Sequence, residues 1–538
     1  MKGFKWSMAC LLVFSLMLAG CQSGSAPAQN EANSDNTSTN TSNKPTEVEW
    51  FIAVESYSKK WDAVNNALDK MITDNTGLTF KITTGNEEKL SAMIAANQIP
   101  DMITAGHSAP QRKMLENSGM LAPLDELIKE FAPTYEVPQS MQDWYRNDDG
   151  HFYGYANFFY PAEKMQEGDA FSTHTAMYAR TDLMDQLGIK KEDFDTKEGT
   201  IAALKKVKEA NIEYNGFKVI PAYFDTSNIA QFFGAGKVED EEGNLIKRSE
   251  ADLEAIKFLN ELYREGLLPE DNVTLNENEI GEKVAAGAVF AYTNGRILEM
   301  TRALSDADPN ASFTPIGPIK GDSMSGDVHL LPNSLSGWTL TSINKNSKHK
   351  EKIIKFFEYM SADEMSLNVK YGPKGITWDY DDNGKVKYLP EVRKEVDTDF
   401  AKAQIKYGMD TFGWFTTWLP IARTMPDPIT PHEKAKVEGS AYFDQYSYNA
   451  LAHEATRIQG GTPESAIQVK INDFTSKMVA EMILAKSEAE VDQLYAKMIQ
   501  DQEKLGYEDL YNYKNQKFTQ AKERLGVKFI WPEYADKN

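Results

Sequence analysis

The sequence predicts an α/β fold built on a parallel sheet with crossover helices, divided among two or more lobes. Three observations carry this. Short apolar runs alternate with segments of helical periodicity between residues 48 and 105, and again from about 197 to 345. The chain is 538 residues long, well past the size at which one core keeps growing. Its only cysteines are Cys10 and Cys21, so no disulfide, thiolate-bound metal or cysteine nucleophile serves the globular part.

Taken in order, Val48 to Val54 reads as a buried strand and Trp61 to about Asn75 as a helix with Val64, Leu68, Met71 and Ile72 on its inner face. A strand at Phe80–Thr84, a helix at Glu87–Asn97 and a buried strand at Ile99–Ala105 complete the first unit. Ligands of such sheets lie beyond the carboxyl ends of the strands, which makes Tyr57 and His107 candidate contacts. From Trp144 to Tyr160 aromatic residues crowd together with Asn and Gly outside any helical period, so they need a core or a ligand to cover them; Trp144 and Asn157 are candidates there. Met177–Arg180 then reads as a strand and Thr181–Gly188 as a short capped helix.

The second unit begins with a helix at Thr200–Ala210 and a strand at Phe217–Phe224. An acidic hairpin tip follows at Glu239–Asn244, read as a solvated run, then a helix at Ala251–Glu265 capped by Ser249 and Asp252. Ala286–Thr293 is a strand ending in Asn294-Gly295, Leu335–Asn344 another strand, and Lys350–Met360 a helix. Beyond about 365 the chain turns helical, with one long periodic segment expected at Lys470–Leu505 on Met478, Met482, Val491, Leu494 and Met498.

A net charge of −22 argues against a nucleic-acid partner. Lys2 and Lys5 followed by the apolar Met8–Ala19 form a segment too short to span a bilayer but suited to a secretory signal. Gln22 to Thr46 has no large apolar side chain and reads as a disordered leash with a reach of roughly 25–30 Å. Leu18-Ala-Gly-Cys21 between them resembles the bacterial lipobox, which implies a lipid-modified Cys21 at the mature N-terminus.

Several motifs lack the parts their chemistry requires. Asp379–Gly384 begins like an EF-hand loop but has Pro390 where a bidentate Glu is needed, so a hairpin is expected. His432-Glu433 and His453-Glu454 lack the second histidine of a zincin helix, and Gly321–Gly326 lacks nucleophile-elbow spacing and reads as a polar turn. No carboxylate pair stands out for glycoside hydrolysis among 80 acids. Trp338, Trp378, Trp414 and Trp418 lie in glycine- or turn-rich settings that no helix face explains. Core packing and ligand contact account equally well for any one of them, and together they suit the apolar face of a sugar ring.

Three stretches, read together, resemble the extracellular solute-binding lipoproteins of carbohydrate-type ABC importers, the family 1 proteins that Gram-positive bacteria use for oligosaccharides. They are Met177-Tyr-Ala-Arg-Thr-Asp-Leu-Met-Asp-Gln-Leu-Gly188, the segment Glu279–Gly295 ending in Asn-Gly, and Gly337–Met360 with its Ser-Lys-His turn. The chain departs from relatives with a calcium loop, since Asn211–Gly216 carries Ile and Tyr where carboxylates are needed, and from those with Trp after the Asn-Gly turn, where it has Arg296.

The resemblance implies a two-lobed periplasmic-binding-protein-like type II fold with a hinge and extra C-terminal helices. The expected parts are a lipoprotein signal peptide at 1–20, a linker at 21–46, lobe 1 from 47–165 with a return at 334–365, lobe 2 at 166–333, and a helical part at 366–538 packing on both. It implies a monomer without catalytic activity, cofactor or metal, held by lipid on the extracellular face of the cell membrane. There it would capture an oligosaccharide by hinge closure and deliver it to ABC permease subunits. The contacts expected are Tyr57, His107, Trp144, Asn157, Asn294, Arg296, Trp338, Trp378 and Trp414. The competing readings are a tethered glycosidase or polysaccharide lyase, a peptide receptor of the same fold, and a ligand sensor feeding a kinase.

Overall fold

The computed structural model describes residues 44–322, 324, 326–428, 430–458 and 462–537. The signal segment, Cys21, nearly all of the linker and the serines at 323 and 325 of the Gly321–Gly326 turn lie outside the described residues. The strands, in chain order, are β1 (Thr46–Ile52), β2 (Leu78–Thr84), β3 (Met102–Gly106), β4 (Tyr155–Ala156), β5 (Met177–Arg180), β6 (Glu213–Tyr214), β7 (Phe217–Lys218), β8 (Ile220–Tyr223), β9 (Val289–Thr293), β10 (Phe313–Pro315), β11 (Thr339–Ile343), β12 (Trp378–Tyr380) and β13 (Val386–Tyr388).

One sheet has the order β2-β1-β3-β11-β4, with β1 parallel to β2 and β3 while β11 runs antiparallel to β3 and β4. Strand β1 lies inside it and is apolar on both faces: Val48, Trp50, Phe51 and Ile52 are fully buried. Trp50 is the hub of the core below, edge-on to Phe80 at 5.5 Å and to Phe412 at 5.4 Å, with its indole N–H donated to Thr104 Oγ1 at 2.9 Å. A second sheet has the order β10-β5-β9-β8, with β8 parallel to β9 and β5 antiparallel to both β9 and β10.

Chain direction decides which strand ends share an edge of each sheet. The ends of β1 and β3, the start of β11 and the end of β4 share one edge of the first sheet. The ends of β8, β9 and β10 and the start of β5 share one edge of the second. The chain leaves β4 at Asn157 to enter β5 at Met177, and leaves β10 at Ile316 to enter β11 at Thr339. Both crossings join those two edges, so the chain connects the two sheets through the strand ends at which ligands of open α/β sheets sit.

The crossing segments are laced together. Thr173 Oγ1 donates to the Leu331 carbonyl at 2.8 Å, the Asn333 N–H to Ser172 O at 2.7 Å, and the Tyr160 N–H to Leu335 O at 2.9 Å. Helix Pro431–Asp444 adds a further tie, with Asp444 Oδ1 accepting the Thr173 N–H at 2.9 Å. Glu454 receives the amides of Leu335 and Ser336 and the hydroxyls of Ser334 and Ser336, clamping the return to the first sheet.

Several elements differ from the sequence expectation. The helix expected from Trp61 is Ala67–Thr76, because Asp62 folds the preceding residues into a turn by accepting the amides of Val64 and Asn65, and Asn66 caps the helix; Val64 is left exposed. Phe217–Phe224 divides into β7, which forms a hairpin with β6, and β8. The long C-terminal segment is two helices, Pro463–Ile483 and Glu488–Lys504, broken where Ser487 caps the second. Asp379–Gly384 makes the expected hairpin between β12 and β13.

The acidic tip is not wholly solvated. Glu239 is completely buried, paired with Lys522 of helix Tyr507–Leu525, and also accepts the amides of Ile530 and Trp531. Asp240 is spent inside the turn, accepting from Glu242 and Asn244. A buried carboxylate so fully partnered fastens helix Tyr507–Leu525 and the residues after it to the 239–244 turn.

Removing one partner strands the other charge, so Lys522→Ala lowers unfolding stability by about 3–5 kcal/mol, read by denaturant titration. Burial lifts the Asp444 carboxyl to about 7, only partly offset by its bond to the Thr173 amide. The unfolded chain ionises such a group near about 3.9, so folded protein binds the extra proton between the two values. This contribution to stability is whole below about pH 4, falls as pH rises toward 7 and is flat above. Asp444→Asn keeps the acceptor and removes that fall, giving a shallower decline in Tm between pH 4 and 8.

Candidate functional site

Where β1 ends, Val54 to Lys60 wraps over the edge of the first sheet and is pinned there. The Tyr57 hydroxyl donates to Thr411 O at 2.9 Å, and Lys59 pairs with the buried Asp69 at 2.8 Å while donating to Thr411 Oγ1 at 3.1 Å. Beside this loop β11 begins at Gly337-Trp338. Gly337 has φ +95°, and a Cβ there would lie 2.3 Å from Asn157 O, so only glycine lets the two strands meet.

Asn157 is itself fully buried and joins three pieces of chain. Its Oδ1 accepts the Thr339 N–H at 2.8 Å and the Thr339 hydroxyl at 3.0 Å, and its Nδ2 donates to Gly413 O at 2.9 Å. That bond brings in Gly413–Phe415 and with it Trp414. Trp338 and Trp414 stack at 5.6 Å and 24°, and Tyr57 meets Trp414 edge-on at 4.8 Å.

The result is a cleft of about 700 Å³ floored by Tyr57, Phe158, Trp338 and Trp414 and rimmed by Ser58, Lys60, Asn65 and Asp410. Trp414 is buried but Trp338 is 50% exposed, a large apolar ring held open to solvent on a rigid backing. Burial pushes the Tyr57 hydroxyl well above its ordinary range, so it stays a neutral hydrogen-bonding group. An open aromatic face ringed by polar groups binds a ligand that has an apolar face and many hydroxyls or amides at its edge.

The sequence pattern of the bacterial extracellular solute-binding proteins matches residues 61–366. The chain belongs to this family. Among solved structures it is similar to the S. pneumoniae ABC-transporter substrate-binding protein FusA in complex with kestose, at TM-score 0.64 and 17% identity over 89% of this chain and 100% of that one. It is also similar to an extracellular solute-binding protein from Bifidobacterium longum subsp. infantis, at TM-score 0.65 and 13% identity over 89% and 99%. An uncharacterized Niallia circulans protein, encoded in the butB 5′ region, is 27% identical over 201 residues, 37% of this chain and 71% of that one. The fold is the two-lobed periplasmic-binding-protein-like one.

In this solute-binding protein the predicted contacts fall into four groups. Tyr57, Trp338 and Trp414 come together in the cleft. His107 and Trp144 line a separate groove of about 360 Å³, tied to the cleft's wall where the His107 N–H donates to Trp338 O at 3.0 Å. Burial, reinforced by the nearby Arg457, lowers His107 to about 4, so its imidazole is neutral at pH 7.

Asn294 and Arg296 are on the corresponding edge of the second sheet. Asn294 takes φ +86°, caps the Arg296 amide and donates to Glu277 at 2.8 Å, while the half-exposed Arg296 lies 3.7 Å from the same carboxylate. The last two residues pack instead of facing a ligand. Trp378 is fully buried among Leu367, Tyr371, Val386 and Ile421 with its N–H on Gly372 O at 2.7 Å, and Asn157 spends its amide on the backbone. Trp418 likewise packs against these cores.

Phe158, Lys59 and Thr411 escaped the sequence reading. Phe158 belonged to the noted aromatic stretch, but its left-handed backbone, φ +55°, turns it toward Gly413 and could not be read in advance. Asn157→Ala leaves the Thr339 amide and hydroxyl without their buried acceptor, which lowers unfolding stability by about 3 kcal/mol. Intrinsic tryptophan fluorescence of the folded variant shifts as the Trp338–Trp414 stack loosens.

Proposed function

We propose that this chain is the oligosaccharide-binding receptor of an ABC importer, a non-catalytic protein tethered by lipid at Cys21 on the extracellular face. It captures its ligand between the facing strand ends by hinge closure and passes it unaltered to the permease. The observation that carries this reading is the half-exposed Trp338, braced on Trp414 at the mouth of the cleft. A pyranose or furanose offers such a ring its C–H face while its hydroxyls reach the polar rim.

Stacking of this kind adds on the order of 1 kcal/mol per ring beyond area burial. With several hydrogen bonds, a total near about −8 kcal/mol corresponds to micromolar affinity, suited to capture and release. The kestose complex of the similar FusA supports a sugar as ligand class. Asn294 and Arg296 on the second edge supply polar groups that meet the ligand once the lobes close.

Calorimetric titration with a panel of neutral oligosaccharides tests this. The wild type binds at least one with unit stoichiometry and a raised Tm, and Trp338→Ala weakens that binding about tenfold. Chromatography of the incubated sugar recovers it intact; turnover overturns the receptor reading. Mass spectrometry of the mature protein finds a diacylglyceryl Cys21 as its first residue.

A further inference from the structure

The groove beside the aromatic cleft differs from it in charge. Its wall carries Lys113, Arg146, Arg457, Lys517 and Arg524, in a chain whose net charge is −22. The carboxylates nearby are largely engaged. Glu116 is held by the buried Arg112 at 2.9 Å and by Lys113 at 3.5 Å. Glu454 is buried and consumed by the backbone and hydroxyls of residues 334–336, with Arg457 at 3.7 Å. Asp148 is the remaining acid on the rim.

Lys517 and Arg524 have no carboxylate partner among the described residues; Lys517 lies 5.5 Å from the Tyr513 ring, and Arg524 reaches the Trp144 carbonyl at 3.3 Å. Helical spacing places them seven residues apart on one face of Tyr507–Leu525, together with Gln520 and Ala521. Arg112, only 3% exposed, also lines the groove and keeps its Nε buried without an acceptor. Arg146 and Arg457 are paired with Asp143 and Glu454, which leaves Lys517 and Arg524 as the cations without a carboxylate on the wall of a concavity that Arg112 also lines, an arrangement suited to an anion.

From this we infer an acidic subsite: the ligand is an oligosaccharide whose one end lies on Trp338 while the other, past His107, places a carboxylate or sulfate against Lys517 and Arg524. The inference rests on the oligosaccharide reading above and narrows it to sugars bearing an anionic group. His107 of the groove donates its backbone N–H to the carbonyl of Trp338 in the cleft, so the two concavities lie on neighbouring strand ends that one extended ligand would bridge. Neutral His107 at the junction passes hydroxyls by donating from one ring nitrogen and accepting at the other.

The test pairs neutral malto-, cello- and galacto-trisaccharides with counterparts ending in a uronate, and includes sodium sulfate alone. At 50 mM NaCl the uronate member of a bound pair is tighter by about tenfold, and the gap closes by 300 mM as the charges are screened. Lys517→Gln with Arg524→Gln abolishes the gap. Equal affinity within pairs, a gap that survives both substitutions, or sulfate alone competing as strongly as the uronate sugar overturns the subsite. Neutral sugars binding without any such gap defeats this inference alone, whereas no binding by either member defeats the oligosaccharide reading first and this one with it.

Discussion

The amide of Asn157 is the constraint from which the candidate site follows. It is buried, and it makes two bonds as acceptor and one as donor, on β11 and on the Gly413 segment, chain regions 182 and 256 residues away. A group that costs free energy whenever it is unpaired holds its partners in one arrangement. That arrangement sets Trp338 beside Trp414 and leaves no freedom at Gly337. The open indole is therefore a product of polar bookkeeping beneath it, and its exposure is stabilised by contacts no ligand makes.

Much of the fold was legible because its information is local and periodic. The alternation of strands and helices through residue 105 and the apolar runs at β1, β3 and β9 survive almost unchanged. Errors arose where a polar side chain overrode periodicity. Asp62 and Asn66 made a turn of what Val64 suggested was helix, and Ser487 split one amphipathic stretch into two. Glu239 is the sharpest instance. An acidic run reads as solvent-facing, and nothing within it reveals a lysine 283 residues further on that buries its first member.

The site was legible only in part, for a related reason. Strand ends are predictable, and topology alone puts Tyr57 and His107 just past the ends of β1 and β3, where the structure has them. Tryptophans are harder, since sequence context separates neither Trp338 from Trp378 nor a platform from a core. The difference is which neighbours the fold brings in: Trp378 acquires a small core from helices Asp363–Tyr371 and Trp418–Arg423, and Trp338 gets a backing on one face only. Phe158 needed a left-handed backbone to reach the cleft, a property that local propensity disfavours for an aromatic residue.

Both cores are discontinuous. The first gathers Trp50, Leu340 and Phe412, the second Met177, Phe443, Met478 and Val491. A ribosome releasing this polypeptide from its N-terminus therefore exposes incomplete halves through most of translation, and long-range closure waits on the final helices. A premature stop before Met478 consequently strips the second half of part of its interior, because Met478, Met482, Val491 and Met498 all belong to that core.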